Sequence, residues 1–236
     1  MKLTYVLHSC FVVESDVFTL IFDFYKDSTH EYIAKNLLDF PGKIYVFSSH
    51  AHRDHFNPEI LKWKSIRPDI QYILSKDIVD DGLYDGTEAF IIDKLETYSD
   101  ECIHVKSFGS TDKGVSFRVS AQGKTIFHAG DLNNWHWNRE STEEEIREAE
   151  DLFHQELDLL AQETKQLDVC MFPIDHRLGE DYTKGAEQLL ELVKVNLFVP
   201  MHFWEHYHYA NDFARKVEKT GCKFWQIHQQ EDSIYF

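Results

Sequence analysis

Ser48-Ser49-His50-Ala51-His52-Arg53-Asp54-His55-Phe56 places three imidazoles and a carboxylate within six positions. The stretch follows residues 43–47, a short β-branched and aromatic run behind Pro41-Gly42, so a buried strand is expected there. After it come Asn57, a suitable N-cap, and Pro58, a favoured first helical residue, with Ile60, Leu61 and Trp63 at helical spacing. The cluster therefore belongs to a strand-to-helix loop, where α/β proteins carry their chemistry. One histidine in a solvated loop would mean little. Three neutral imidazoles beside a carboxylate form a borderline-to-hard donor set suited to zinc, manganese or iron. His50 and His52 can reach one ion from the same side of an extended segment, while Asp54 and His55 are turned toward a second.

His50-Ala-His52-Arg-Asp54-His55 resembles the HxHxDH signature of the metallo-β-lactamase superfamily. The resemblance implies an α/β fold: a four-layer αββα sandwich, two mixed sheets packed face to face with helices outside. It implies a metal site at one edge of that sandwich. Phe127-His128-Ala129-Gly130-Asp131 closes an expected strand at the place of the family's bridging aspartate, and Phe198-Val199-Pro200-Met201-His202 closes another at the place of its final histidine. The resemblance thus implies His50, His52, Asp54, His55, Asp131 and His202 as ligands. It is nearest to the ascorbate-6-phosphate-lactonase-like branch, which has a glycine-His-Ser/Ala motif at the place of Leu7-His8-Ser9 and a strand-end aspartate at that of Asp23. There the aspartate orients a ligand loop, as a carboxylate does when a metal-bound imidazole gives it the other N–H. His8 and Asp23 are accordingly expected as supporting or substitute groups.

One ligand of the family pattern is absent. The family's Trp-His-Ser aligns with Phe108-Gly109-Ser110, and glycine has no side chain to coordinate. Asp112 in the same loop is the preferred substitute. His128 reads as a supporting group, because the same His-Ala-Gly-Asp run occurs in the lactonase-like branch, and His104 reads as a packed core histidine. Trp135 and His136, with Trp137, follow Asp131 and can wall a substrate pocket or anchor their loop on the sheet. Asp175 and Arg177 follow another strand end, where the guanidinium can hold a phosphate or carboxylate, or pair with Asp175.

The 236 residues suit a single domain, 1–236. A net charge of −17 argues against nucleic-acid and anionic-membrane partners, leaving a small-molecule substrate; oligomeric state has no signature in the sequence. Cys10, Cys102, Cys170 and Cys222 are widely spaced and expected as free, mostly buried thiols. With no leader-like N-terminus and no apolar run of membrane-spanning length, a cytoplasmic protein is expected. Strands are expected at 3–7, 10–13, 17–22, 70–74, 89–92, 103–105, 115–119, 124–127, 169–172, 197–199, 224–227 and 233–235. Helices are expected at 58–64, just after Ser75, from Ser141 onward, at 184–193 and at 204–219.

The expected activity is that of a metal-dependent hydrolase of a small ester, lactone or phosphodiester. One or two divalent ions, zinc first and manganese or iron in its stead, would acidify a water and polarise the scissile bond. Asp54 would be the catalytic carboxylate, orienting that water and carrying its proton. The alternative is a non-catalytic metal- or ligand-binding module that has lost the third histidine of the first site at Gly109.

Overall fold

The computed structural model describes residues 1–236. The first sheet is built from β1 (Lys2–Leu7), β2 (Cys10–Glu14), β3 (Phe18–Phe22), β4 (Lys43–Ser48), β5 (Gln71–Ser75), β6 (Ala89–Ile92) and β14 (Ser233–Tyr235). The second holds β7 (Thr97–Ser99), β8 (His104–Phe108), β9 (Ser116–Ala121), β10 (Lys124–His128), β11 (Gln166–Pro173), β12 (Lys194–Met201) and β13 (Lys223–Phe224). Their orders are β14-β1-β2-β3-β4-β5-β6 and β13-β12-β11-β10-β9-β8-β7. Each sheet is mixed. β14 to β3 pair antiparallel and β3 to β6 parallel, while β7 to β10 pair antiparallel and β10 to β13 parallel.

Side-chain alternation along the strands explains the layering. In the first sheet Tyr5, Phe11, Val13, Phe22 and Phe47 join the larger buried cluster with residues of the second sheet, and the Phe47 and Phe117 rings meet across the sheets at 5.2 Å. Their neighbours Val6, Val12, Ile21 and Val46 face the other way, into a smaller cluster with Ile33, Leu37, Ile60, Trp63 and Ile78. The second sheet is covered by α3 (Glu143–Glu163) and α4 (Lys184–Leu192), through Phe153, Leu157, Leu160 and Leu189. The result is the αββα sandwich. No helix is long and apolar enough to cross a membrane.

Several local expectations need correction. Residues 58–65 form a 3₁₀ helix, capped by the Asn57 side chain as its sequence suggests. A short α1 (Tyr32–Asn36) was not expected; it exists because the Asp27 carboxylate accepts the N–H groups of Ser28, Ile33 and Ala34 at 2.8–3.0 Å. β7 was likewise missed, and α2 (Lys76–Asp80) follows Ser75 as expected. The single helix expected over 204–219 is two, α5 (Tyr207–Asp212) and α6 (Ala214–Glu218). It starts late because Trp204 takes a left-handed φ of 52°. The strand expected over 224–227 shrinks to Lys223–Phe224, since the Ile227 N–H and C=O are taken by the Asn211 side chain at 3.2 and 2.8 Å.

Two antiparallel steps restore direction, so β1, β3 and β4 run the same way, as do β8, β10, β11 and β12. The residues that follow these strands are His8, Asp23, Ser49 to His55, the 109–114 loop, Asp131, Asp175 and His202. They meet at one edge of the sandwich, where the carboxyl ends of the parallel strands gather chemistry.

Candidate metal centre

Two groups of donors adjoin at this edge. His8, Asp54, His55 and His202 form an inner group, and His50, His52, Asp112 and Asp131 an outer one; within each, one donor atom per residue lies within 4.8 Å of the others. Asp131 stands between them. Its Oδ1 is 3.2 Å from His55 Nε2 and 3.4 Å from His202 Nε2, while its Oδ2 is 3.5 Å from His50 Nε2. His8 Nε2 to Asp54 Oδ2 and His52 Nδ1 to Asp112 Oδ2 are each 3.3 Å. Donors at about 2.0–2.1 Å around one tetrahedral ion stand ~3.3 Å apart, so these spacings are those of coordination edges.

The polar bookkeeping agrees. Nε2 of His8, His50 and His55 and Oδ1 of Asp131 are buried and have no hydrogen-bond partner. Buried polar atoms are ordinarily satisfied, and four orphans shared between the two adjoining groups are what bound cations would relieve. Burial, then the neighbouring imidazoles, push His50 and His55 well below the usual histidine range, so both are neutral donors. Burial beside other carboxylates raises Asp131 to about 7 despite the opposing charge of His202, as expected for a carboxylate lacking a cation.

Ring orientation is set from outside. His55 Nδ1–H donates to Asp23 Oδ2 at 2.7 Å, which leaves Nε2 bare toward Asp131. Asp23 also accepts the Ser49 N–H and O–H, each at 2.7 Å, and the Ser49 oxygen receives His50 Nδ1 at 3.0 Å. His202 Nδ1 donates to Asp175 Oδ2 at 3.0 Å. Three imidazoles of the donor groups are thereby fixed by two buried carboxylates and a serine.

The sequence expectations fall into place unevenly. His50, His52, Asp54, His55, Asp131 and His202 come together, and Asp112 joins them from the 109–114 loop. His8, expected only as a supporting or substitute group, lies within the inner donor set. His128 does not: its Nε2 meets Ser9 O at 2.9 Å and its Nδ1 accepts the Gly130 N–H at 3.2 Å. His104 is exposed rather than packed, paired with Ser99 Oγ at 2.6 Å. Gly109 does not face the centre. A Cβ there would lie 2.2 Å from Oε2 of Glu156 on α3, so a side chain at 109 would project toward that helix.

A cavity of about 270 Å³ opens above the donors, lined by His52, Asp54, Asp112, Asp131 and His202 together with Thr111, Trp135, Trp137 and Arg177. Trp135 is thus on its wall, held by an Nε1–H donation to Asp131 O at 2.8 Å. His136 is not: it is buried, with Nε2 3.2 Å from Asp181 O, and holds its own loop. Asp175 is buried beneath the wall, where Arg177 Nε donates to it at 2.9 Å, so its role is to carry His202 and Arg177. Ser49 and Thr111 were missed. Thr111 Oγ1 ties its loop to the Asp131 segment through Asn133 O at 2.5 Å, a contact with no sequence signal.

Comparisons with known proteins agree with this fold. A curated relative from Nanoarchaeum equitans, named as a UPF0173 metal-dependent hydrolase, is 24% identical over 98% of this chain and 99% of its own. Another of that name, from Desulforamulus reducens, is 26% identical over 86% of this chain and 84% of its own. Among solved structures, a metallo hydrolase from Ignicoccus hospitalis matches with a TM-score of 0.68 at 21% identity, covering 100% of this chain and 98% of that one. A diiron β-hydroxylase from Streptomyces venezuelae has the same TM-score of 0.68 at 14% identity, covering 100% of this chain but 54% of that one. The family described as the β-lactamase superfamily domain matches residues 2–149, more than half of the chain, and the chain therefore belongs to the metallo-β-lactamase superfamily.

Proposed function

We propose that the protein is a metal-dependent hydrolase whose two donor groups would each hold a divalent ion, with Asp131 able to serve both. The observation that carries this reading is the set of buried, partnerless donor atoms at coordination-edge spacing beneath an open cavity. When bound, the metal supplies an acidified water near neutral pH and a Lewis acid for the scissile carbonyl or phosphoryl. Asp54, beside that water, would orient it and pass on its proton. Its burial works the other way, yet the nearby His8 and His55 imidazoles hold it well below the usual carboxylate range, so it is ionised and accepts hydrogen bonds only. Trp135 and Trp137 present flat apolar walls, and Arg177 offers its remaining N–H donors to an anionic or carbonyl group. Small lactones and esters, the substrates of the branch the motifs resemble, are the first to try. We place the enzyme in a reducing compartment such as the cytoplasm, supported by four free cysteines.

Protein purified without chelator should contain about two equivalents of divalent metal per chain and hydrolyse members of a lactone, ester and phosphodiester panel. His52→Ala and Asp131→Ala should each lower bound metal while the unfolding transition stays cooperative. Unchanged metal content in both variants would remove the site. Metal uptake without turnover of any substrate would favour the non-catalytic binding module.

The outer group favours one second reading. Two imidazoles with one carboxylate, His50, His52 and Asp112, are also the donor set of non-haem iron sites. Iron as the native metal, with oxygen consumption in the presence of a reductant and no hydrolysis, would select it.

A further inference from the structure

We propose that His8 is itself a ligand of the inner ion, so that protein side chains fill the inner site and the open position belongs to the outer ion, at His52 and Asp112. The inference rests on the two-ion reading above and goes beyond it by assigning the two sites different work.

His8 is fully buried, and neither ring nitrogen has a hydrogen-bond partner. Burial alone does not explain this. His128, equally buried at the same edge, has Nε2 satisfied by Ser9 O at 2.9 Å and Nδ1 by the Gly130 N–H at 3.2 Å. A structural histidine in this fold finds its partners; His8 has been left without them and placed 3.3 Å from Asp54 Oδ2. Its ring is held there, with its centroid 4.0 Å from the Trp204 ring and 4.2 Å from the His202 ring. The backbone is held as well. His8 N–H donates to Tyr5 Oη at 2.9 Å, and His8 O accepts from His202 N at 3.3 Å. His8 and His202 share a left-handed φ, 59° and 61°, a conformation that non-glycine residues keep only where the surroundings impose it.

The two groups differ in access. His8, His55 and His202 are buried and Asp54 is partly covered, so with Asp131 Oδ1 the inner ion has five protein donors. In the outer group the His52 and Asp112 side chains are 48% and 44% exposed and line the cavity. Asp54, Asp131 and His202 border the same cavity but are less exposed than His52 and Asp112, so water and substrate meet the outer ion first.

The test is proton NMR of the full chain carrying one equivalent of Co(II), in which an imidazole N–H on a ligand histidine is paramagnetically shifted far downfield. Three slowly exchanging signals are expected, from His8, His55 and His202, and one should vanish in His8→Gln. That variant should bind its first Zn(II) at least ~10-fold more weakly. Two signals in the wild type, unchanged in His8→Gln, would overturn the proposal while leaving the two-ion reading standing. Failure of the wild type to bind Co(II) would overturn both. The wild-type count decides the matter by itself if His8→Gln does not fold.

Discussion

At Gly114 the loop that carries Asp112 presses on the loop that carries the histidines. A Cβ there would lie 2.0 Å from Ser49 O and 2.6 Å from His50 Cβ, on a backbone with φ of 69°. Gly123, in the hairpin between β9 and β10, has a similar φ of 73° but nothing within 4 Å of its Cβ position. Alanine at Gly123 should therefore cost only the left-handed penalty of ~1 kcal/mol. At Gly114 it must also displace Ser49 and His50, which adds ~1–3 kcal/mol and moves a candidate metal donor. Urea midpoints and metal content of the two alanine variants check this. Gly114→Ala should lose more stability and also shed metal, and equal losses with full metal content would contradict the close approach. Gly109, by contrast, aligns in the sequence with a ligand position of the family. The missing donor is not at 109, because that position points at Glu156, which Lys94 holds at 2.6 Å.

Among the elements, α3 is the one whose sequence signals and structure agree in detail. Thr142 accepts the Glu145 N–H at 3.3 Å and Glu145 answers by accepting Thr142 N–H at 2.7 Å, a complete capping box. Phe153, Leu157 and Leu160 then repeat at helical spacing toward the second sheet. Thr142→Ala should cost ~1 kcal/mol in equilibrium unfolding and leave bound metal unchanged, since the cap is exposed and is not among the cavity-lining residues. A loss of metal in this variant would mean that α3 couples to the centre more tightly than its contacts suggest. α1 and the α5–α6 break are the opposite case. The first depends on Asp27 acting six and seven residues ahead, and the second lies where Asn211 takes the backbone groups of Ile227.

For the whole molecule, the two sheets are tied together by polar groups as well as by the core. Asp100, in the turn between β7 and β8, accepts Lys43 Nζ at 2.7 Å and Tyr45 Oη at 2.6 Å from β4 of the other sheet. It also accepts Tyr98 Oη at 3.0 Å and the Cys102 and Ile103 N–H groups at 2.9 and 3.1 Å. Burial opposes ionisation, but these donors, Lys43 and Tyr45 foremost, hold the carboxyl well below its usual range. The folded-state value lies below the unfolded one of about 3.9, so the stabilisation is full above that pH and is lost as pH falls toward the folded value. Asp100→Asn should therefore lower stability by ~2 kcal/mol at pH 7 and by less at pH 3. Denaturant melts at the two pH values measure this, and an equal loss at both would show that the charge does not matter.

The sequence by itself determined what depends on local chemistry. A metal restricts its ligands to a few residue types, so His50, His52, Asp54 and His55 could be read as candidate donors from their spacing and their place after a strand. Alternating apolar residues marked nearly all the strands, and Thr142 with Glu145 marked the start of α3. Asp131 and His202 could be read only through the family resemblance, since a lone aspartate or histidine at a strand end carries little signal. Only the tertiary structure decided the rest. Ser49 as the link between Asp23 and His50, Asp175 behind His202 and His8 within the inner group are relations between segments far apart in the chain. Their residue types fit many roles. What selects one role is which strand ends the two sheets bring to the same edge, and that is settled by packing rather than by any local run of residues.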